Sequence, residues 1–111
     1  MVGIKRVYDP VTSDDGYVVL VDRLWPRGIK KESLHYDEWL KEIAPSAELL
    51  KALHSETIDF EHFSQRYRQE LQNSVPLKSL KTRSQEQKVT LMTAAKLDQK
   101  NHITVLLDLL S

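Results

Sequence analysis

The stretch that most constrains the fold is Tyr17-Val18-Val19-Leu20-Val21-Asp22, which follows Gly16. Its apolar run is continuous, with no polar residue between Val18 and Val21. A strand with one wet face alternates, so a continuous run needs burial on both faces, as in the middle of an α/β sheet. The rest of the chain must therefore supply partner strands and covering layers.

Two further segments read as strands. Ile4–Tyr8 is one, ended by Asp9-Pro10, because proline has no ladder donor and restricts the residue before it. Val89–Ala94 is the other. Between them Asp37–Ala44 reads as a short helix stopping before Pro45, and Ser46 as the N-cap of a second helix reaching about His54. Asp59 can cap a longer helix. Phe60, Phe63, Tyr67 and Leu71 recur at spacings of three, four and four and share one face. Leu77–Arg83 forms another helix with Pro76 at its first position, and Ile103, Leu106, Leu107 and Leu110 stripe a final one. Strands separated by helices predict one α/β domain over 1–111, with a small, mainly parallel sheet covered by helices in a layered sandwich. Only three strands are visible, so either the sheet is small or one strand is hidden. The link from Tyr8 to Tyr17 is too short for a helical crossover, which leaves an antiparallel pairing of the first two strands open.

The chain has no cysteine, which excludes disulfides, thiolate metal sites and a cysteine nucleophile. His35, His54 and His62 lack metal-ligand spacing and read as surface or structural, so no metal site is expected. No apolar stretch approaches the length of a signal peptide core or a membrane span, and a cytoplasmic location is the simplest expectation. No phosphate-binding loop, dinucleotide fingerprint or nucleophile elbow occurs. The net charge is zero, but residues 1–31 carry +2, residues 32–70 carry −5 and residues 71–111 carry +3. A dedicated nucleic-acid binder would be basic overall.

Ligands of open parallel sheets bind beyond the carboxyl ends of the strands. Here those ends offer Asp9 after the first strand, Asp22, Arg23, Trp25 and Arg27 after the second, and Lys96, Asn101 and His102 after the third. Arginine forks suit phosphate or carboxylate, Gly28 permits close backbone approach, and Asn101-His102 opens the last helix, whose amides favour an anion. Each residue also has a plain structural reading. Arg23 can pair with Asp9 or Asp22 to fix the loop, Trp25-Pro26 can plug the core, His102 can pack on the sheet, and Lys96 can be solvated. An antiparallel first pair would remove Asp9 from the site.

Lys5–Pro10, Asp15-Gly16-Tyr17 and Val19–Gly28 resemble the short, YeaO-like branch of domain-of-unknown-function family 488. Trp39, Lys41, Ala44-Pro45-Ser46, Glu48-Leu49, Phe63, Tyr67, Glu70-Leu71, Thr90-Leu91, Ala95-Lys96 and Asn101-His102 extend the resemblance along nearly the whole chain. It implies a compact α/β fold and brings no defined activity. It also implies a pocket joining the Asp22–Arg27 and Lys96–His102 segments, with a Cys-His pair in the longer branch where this chain has Asn101-His102. Thr93, Leu97, Ile103 and Leu50 depart from the pattern, standing where an aromatic, an aspartate, an alanine and an arginine are usual.

The leading expectation is an anion-binding domain whose ligand is a phosphorylated small molecule, nucleotide or nucleic-acid end. Arg23 and Arg27 would bind the anion, helped by Asp22, Trp25, Lys96 and Asn101. If chemistry occurs there, His102 or Asp9 carries the proton. No cofactor follows from the residues. The rival expectations are a protein-interaction module without turnover and a weak nucleic-acid binder using the basic ends.

Overall fold

The computed structural model describes residues 1–111. Four strands, β1 (Val2–Arg6), β2 (Tyr17–Leu20), β3 (Glu38–Trp39) and β4 (Val89–Thr93), form one sheet in the order β1-β4-β2-β3. Every pairing is parallel. The α/β fold expected from the sequence is thus present. Its helices, α1 (Ala47–His54), α2 (Phe60–Glu70), α3 (Val75–Glu86) and α4 (His102–Leu110), all feed one face of the sheet.

The unbroken apolar run of β2 has the predicted cause. Val19 and Val21 point into the large core with Leu49, Phe63, Tyr67, Leu80 and Leu106 from the helices. Val18 and Leu20 point the other way, into a smaller cluster with Val7 and Met92. That second face is covered by irregular chain carrying Val11, Trp25, Ile29, Leu34 and Trp39. The central strand β4 is buried at all five positions.

The antiparallel alternative for the first two strands is overturned, because β4 inserts between them and pairs in parallel with both. The short link returns without an α-helix. It runs as loop and a 3-10 turn at Ser13–Asp15, fastened to the sheet at several points. Lys5 Nζ donates to Pro10 O at 2.7 Å and to Asp15 Oδ2 at 2.6 Å, and Thr90 Oγ1 donates to Asp15 O at 2.7 Å.

The helix expected over Asp37–Ala44 is also absent. Its place is taken by β3 and a 3-10 turn at Lys41–Ile43. Asp37 N donates to Val18 O and Leu40 N to Leu20 O, both at 2.8 Å, while the Asp37 carboxylate accepts from Val18 N. A single isolated turn or two of helix is marginal, whereas these residues gain a preformed sheet edge. Trp39 and Leu40 then bury on opposite faces, which is strand periodicity and not helical periodicity.

The two caps read from the sequence hold, Ser46 accepting from Leu49 N and Asp59 from His62 N, and the structure adds a third, Ser74, which accepts from Leu77 N. The helix after Ser74 runs from Val75 to Glu86, longer at both ends than its apolar pattern suggests.

Gly16 ends the link at φ 65° and ψ −132°, and a Cβ there would collide with the carbonyl oxygen of Lys88, which accepts from Tyr17 N. Gly28, at φ 76°, faces open space. Gly16→Ala should therefore cost about 3 kcal/mol, from strain plus steric overlap, and Gly28→Ala about 1 kcal/mol. Urea denaturation of both variants checks this; equal losses would remove the steric argument.

Candidate functional site

β2 ends one residue before Val21, and the chain then turns outward through Asp22, Arg23, Leu24, Trp25, Pro26 and Arg27. This loop forms one wall of a groove of about 1010 Å³ at the carboxyl edge of the sheet. The opposite wall is Pro45 and the α1 residues Ala47, Leu50, Lys51, Leu53 and His54. Ala94, Ala95, Asn101 and His102 close the end.

Asp22 is the partly buried anchor of the groove. Its Oδ1 accepts from Thr93 Oγ1 at 2.6 Å and lies 3.0 Å from His102 Nε2, and its Oδ2 accepts from Ala94 N at 2.7 Å. Its main-chain carbonyl accepts from Trp39 Nε1 at 2.6 Å. Burial, the largest single influence, pushes the carboxyl upward, yet the contacts from His102, Ala94 and Thr93 together hold it below its usual value. His102 is itself buried. The carboxylate thus holds the imidazole through Nε2, while Nδ1 makes no hydrogen bond with the protein and His102 lines the groove.

Arg23 pairs with neither Asp9 nor Asp22. Its Nε donates to Pro45 O at 2.8 Å and its guanidinium to Ala44 O at 3.3 Å. The same short link is held by Tyr67 Oη, which donates to Ile43 O, and by Glu70, which accepts from Ser46 N and Ser46 Oγ. Burial keeps the Tyr67 phenol far above its usual range, so it remains a donor. Arg23 thus fixes the spacing of the two groove walls while still lining the groove.

Trp25 lines the groove but is committed to packing. It meets Tyr36 and Trp39 edge-on at centroid distances of 5.8 and 5.5 Å, and its Nε1 donates to Ile29 O. Asn101 caps α4 by accepting from Ile103 N, and its Nδ2 donates to Lys96 O. Arg27 is exposed in the groove wall and makes no hydrogen bond or ion pair with the protein.

The structure brings Asp22, Arg23, Trp25, Arg27, Asn101 and His102 to one groove and leaves Asp9 and Lys96 outside it. Asp9 is exposed beyond β1, where its carboxylate accepts from Arg6 N at 3.2 Å and closes a turn. Lys96 is exposed and contributes its carbonyl to Asn101. Leu97 also falls outside, in a shallow depression with Ile4 and Leu107. Leu50, which stands where the resemblance implies an arginine, is part of the α1 wall.

Sequence reasoning missed Lys51 and His54. They lie one turn apart on α1, and their only signal was i, i+3 spacing on a helix following Pro45. Lys51 adds a third permanent cation to Arg23 and Arg27, against Asp22 alone among carboxylates.

Fold and groove define a small parallel α/β domain with a basic, strand-end groove. The chain belongs to the family described as the inactive DUF488-N3 subclade, which matches residues 1–111. It is 51% identical over 105 residues to the uncharacterized protein YeaO of Escherichia coli (strain K12), covering 94% of this chain and 91% of that protein. It is 39% identical over 110 residues to the uncharacterized proteins Mb3100c of Mycobacterium bovis and Rv3073c of Mycobacterium tuberculosis (strain H37Rv), covering 99% of this chain and 93% of each. No solved structure matches the chain. No helix is long and apolar enough to cross a membrane.

Two stability outcomes follow. Asp22→Asn should destabilise by roughly 3 kcal/mol, because an amide cannot accept at both oxygens from Thr93, His102 and Ala94 N without placing its NH2 against a donor. The lowered Asp22 value contributes stability that is complete above about pH 4 and is lost as pH falls through the folded value. Asp22→Asn should flatten that acid limb in denaturation measured from about pH 2 to 6. An unchanged limb would remove Asp22 as its cause. Arg23→Ala should lower stability by about 1–3 kcal/mol, read from the urea midpoint. A midpoint equal to wild type would show that the Ala44 and Pro45 carbonyls do not need it.

Proposed function

We propose that the groove receives a small anionic, phosphate-bearing molecule and holds it without chemical turnover. The observation carrying this reading is Arg27, a planar five-donor fork standing unpartnered in the wall of a concave site. Lys51 on the other wall reinforces it, although α1 belongs to the acidic middle of the chain. The only carboxylate in the groove is turned onto Thr93, Ala94 N and His102, and three cationic side chains share the lining with it.

The absence of turnover rests on two supports: no cysteine is available as a nucleophile, and the family is described as inactive. Asn101, which stands where the resemblance implies a cysteine in the longer branch, is used as a helix cap.

Titration calorimetry with inorganic phosphate and sulfate tests the reading. Arg27→Ala should weaken phosphate binding about tenfold while moving stability by less than about 0.5 kcal/mol, as for other exposed positions. Wild-type affinity in Arg27→Ala would remove the groove as the anion site. Sustained release of phosphate from p-nitrophenyl phosphate by wild type would overturn the claim of no turnover.

A further inference from the structure

Within the anion-site reading, on which this inference rests, the groove's unengaged groups define the rest of the ligand. Its polar side chains apart from the cations are mostly spent. Asn101 uses its oxygen on Ile103 N and its amide on Lys96 O. Ser55 Oγ donates to Lys51 O, and Asp22 and His102 bond each other. A nucleobase or sugar is recognised by hydrogen bonds along its edges, and few side-chain groups here remain to make them.

Apart from the His54 imidazole and the second ring nitrogen of His102, what remains free is cationic or hydrocarbon. Leu24 is 78% exposed, between Arg23 and Trp25, and lines the groove. Leu50 and Leu53 present apolar surface from α1, with Pro45 on the same wall and Pro26 on the other. An exposed leucine on a flexible surface is unremarkable alone. Here it shares a concave wall with the unpartnered Arg27, three residues away. The cavity, about 1010 Å³, matches the upper range of pockets that enclose drug-sized molecules and far exceeds what one phosphate fills.

We propose that the ligand is an amphipathic phosphate monoester, with its head between Arg27 and Lys51 and a nonpolar body lying on Leu24 and the leucines of α1. Charge complementarity places the head, and the apolar floor places the body. Burial of hydrocarbon then supplies the selectivity, at roughly fourfold in affinity for each fully buried methylene.

The test compares inorganic phosphate, octyl phosphate below its micellar concentration, octanol and adenosine monophosphate on wild type, Leu24→Ser and Arg27→Ala. Leu24 is exposed, so its replacement spares the fold. Wild type should bind octyl phosphate at least tenfold tighter than inorganic phosphate and tighter than adenosine monophosphate. Leu24→Ser should weaken octyl phosphate several-fold and leave inorganic phosphate unchanged. Arg27→Ala should weaken both, and octanol should bind far more weakly than octyl phosphate.

Equal affinity for inorganic and octyl phosphate would overturn the amphipathic ligand while leaving the anion site standing. So would octyl phosphate binding that ignores Leu24→Ser, or a preference for adenosine monophosphate. Binding of neither phosphate, or octanol binding as tightly as octyl phosphate, would defeat the anion site and this inference together.

Discussion

The Asp22 carboxylate ties together three parts of the chain that have no covalent reason to meet. It sits just beyond β2, accepts from the last residue of β4 and the amide after it, and contacts the first residue of α4. A carboxylate this enclosed would be costly if any oxygen lacked a partner. With three donors arranged around it, the cost of burial is offset and the geometry becomes specific. The direction in which the chain leaves β2 is set here, and so is the wall of the groove. Trp39 adds a fourth constraint by donating to the Asp22 carbonyl, which joins the edge strand β3 to the same corner.

A second set of contacts fixes the opposite wall. The link between β3 and α1 holds only a 3-10 turn, yet four consecutive residues, Ile43 to Ser46, are bonded by side chains from elsewhere. Tyr67 and Glu70 reach them from α2, and Arg23 reaches them from the β2 loop. Because Arg23 belongs to one wall and bonds the other, it works as a strut. A guanidinium satisfied by two carbonyls keeps its charge, so the strut still contributes positive potential to the groove it spans.

Much of this architecture was legible because its causes are local. The doubly buried run of β2, the caps Ser46, Asp59 and Asn101, and the Phe63–Tyr67–Leu71 face each follow from a few neighbouring residues. Parallel strands then placed the Asp22–Arg27 and Asn101–His102 segments at one edge. What escaped the sequence depends on long-range partners. β3 exists because Val18 and Leu20 offer carbonyls to Asp37 and Leu40, which no local pattern announces. The partner of Arg23 is a pair of backbone carbonyls, invisible to any reading that matches charges with charges. Asp9 left the site although its strand is parallel, because its carboxylate closes its own turn on Arg6 N.

The same distinction underlies the proposed reading of the groove as a binding site. Groups that could move protons, Asp22 and His102, face each other and hold the fold together. The groups free to meet a ligand include Arg27, Lys51 and Leu24, with the exposed His54 imidazole on the same wall as Lys51. Catalysis needs a titratable group aimed at a reacting atom. In this corner of the molecule the Asp22 carboxylate and Nε2 of His102 have been drawn into the structural bond, and cations, the His54 imidazole and hydrocarbon line the rest of the groove. A domain divided in this way keeps the concave shape and the cationic side chains on which that proposal rests.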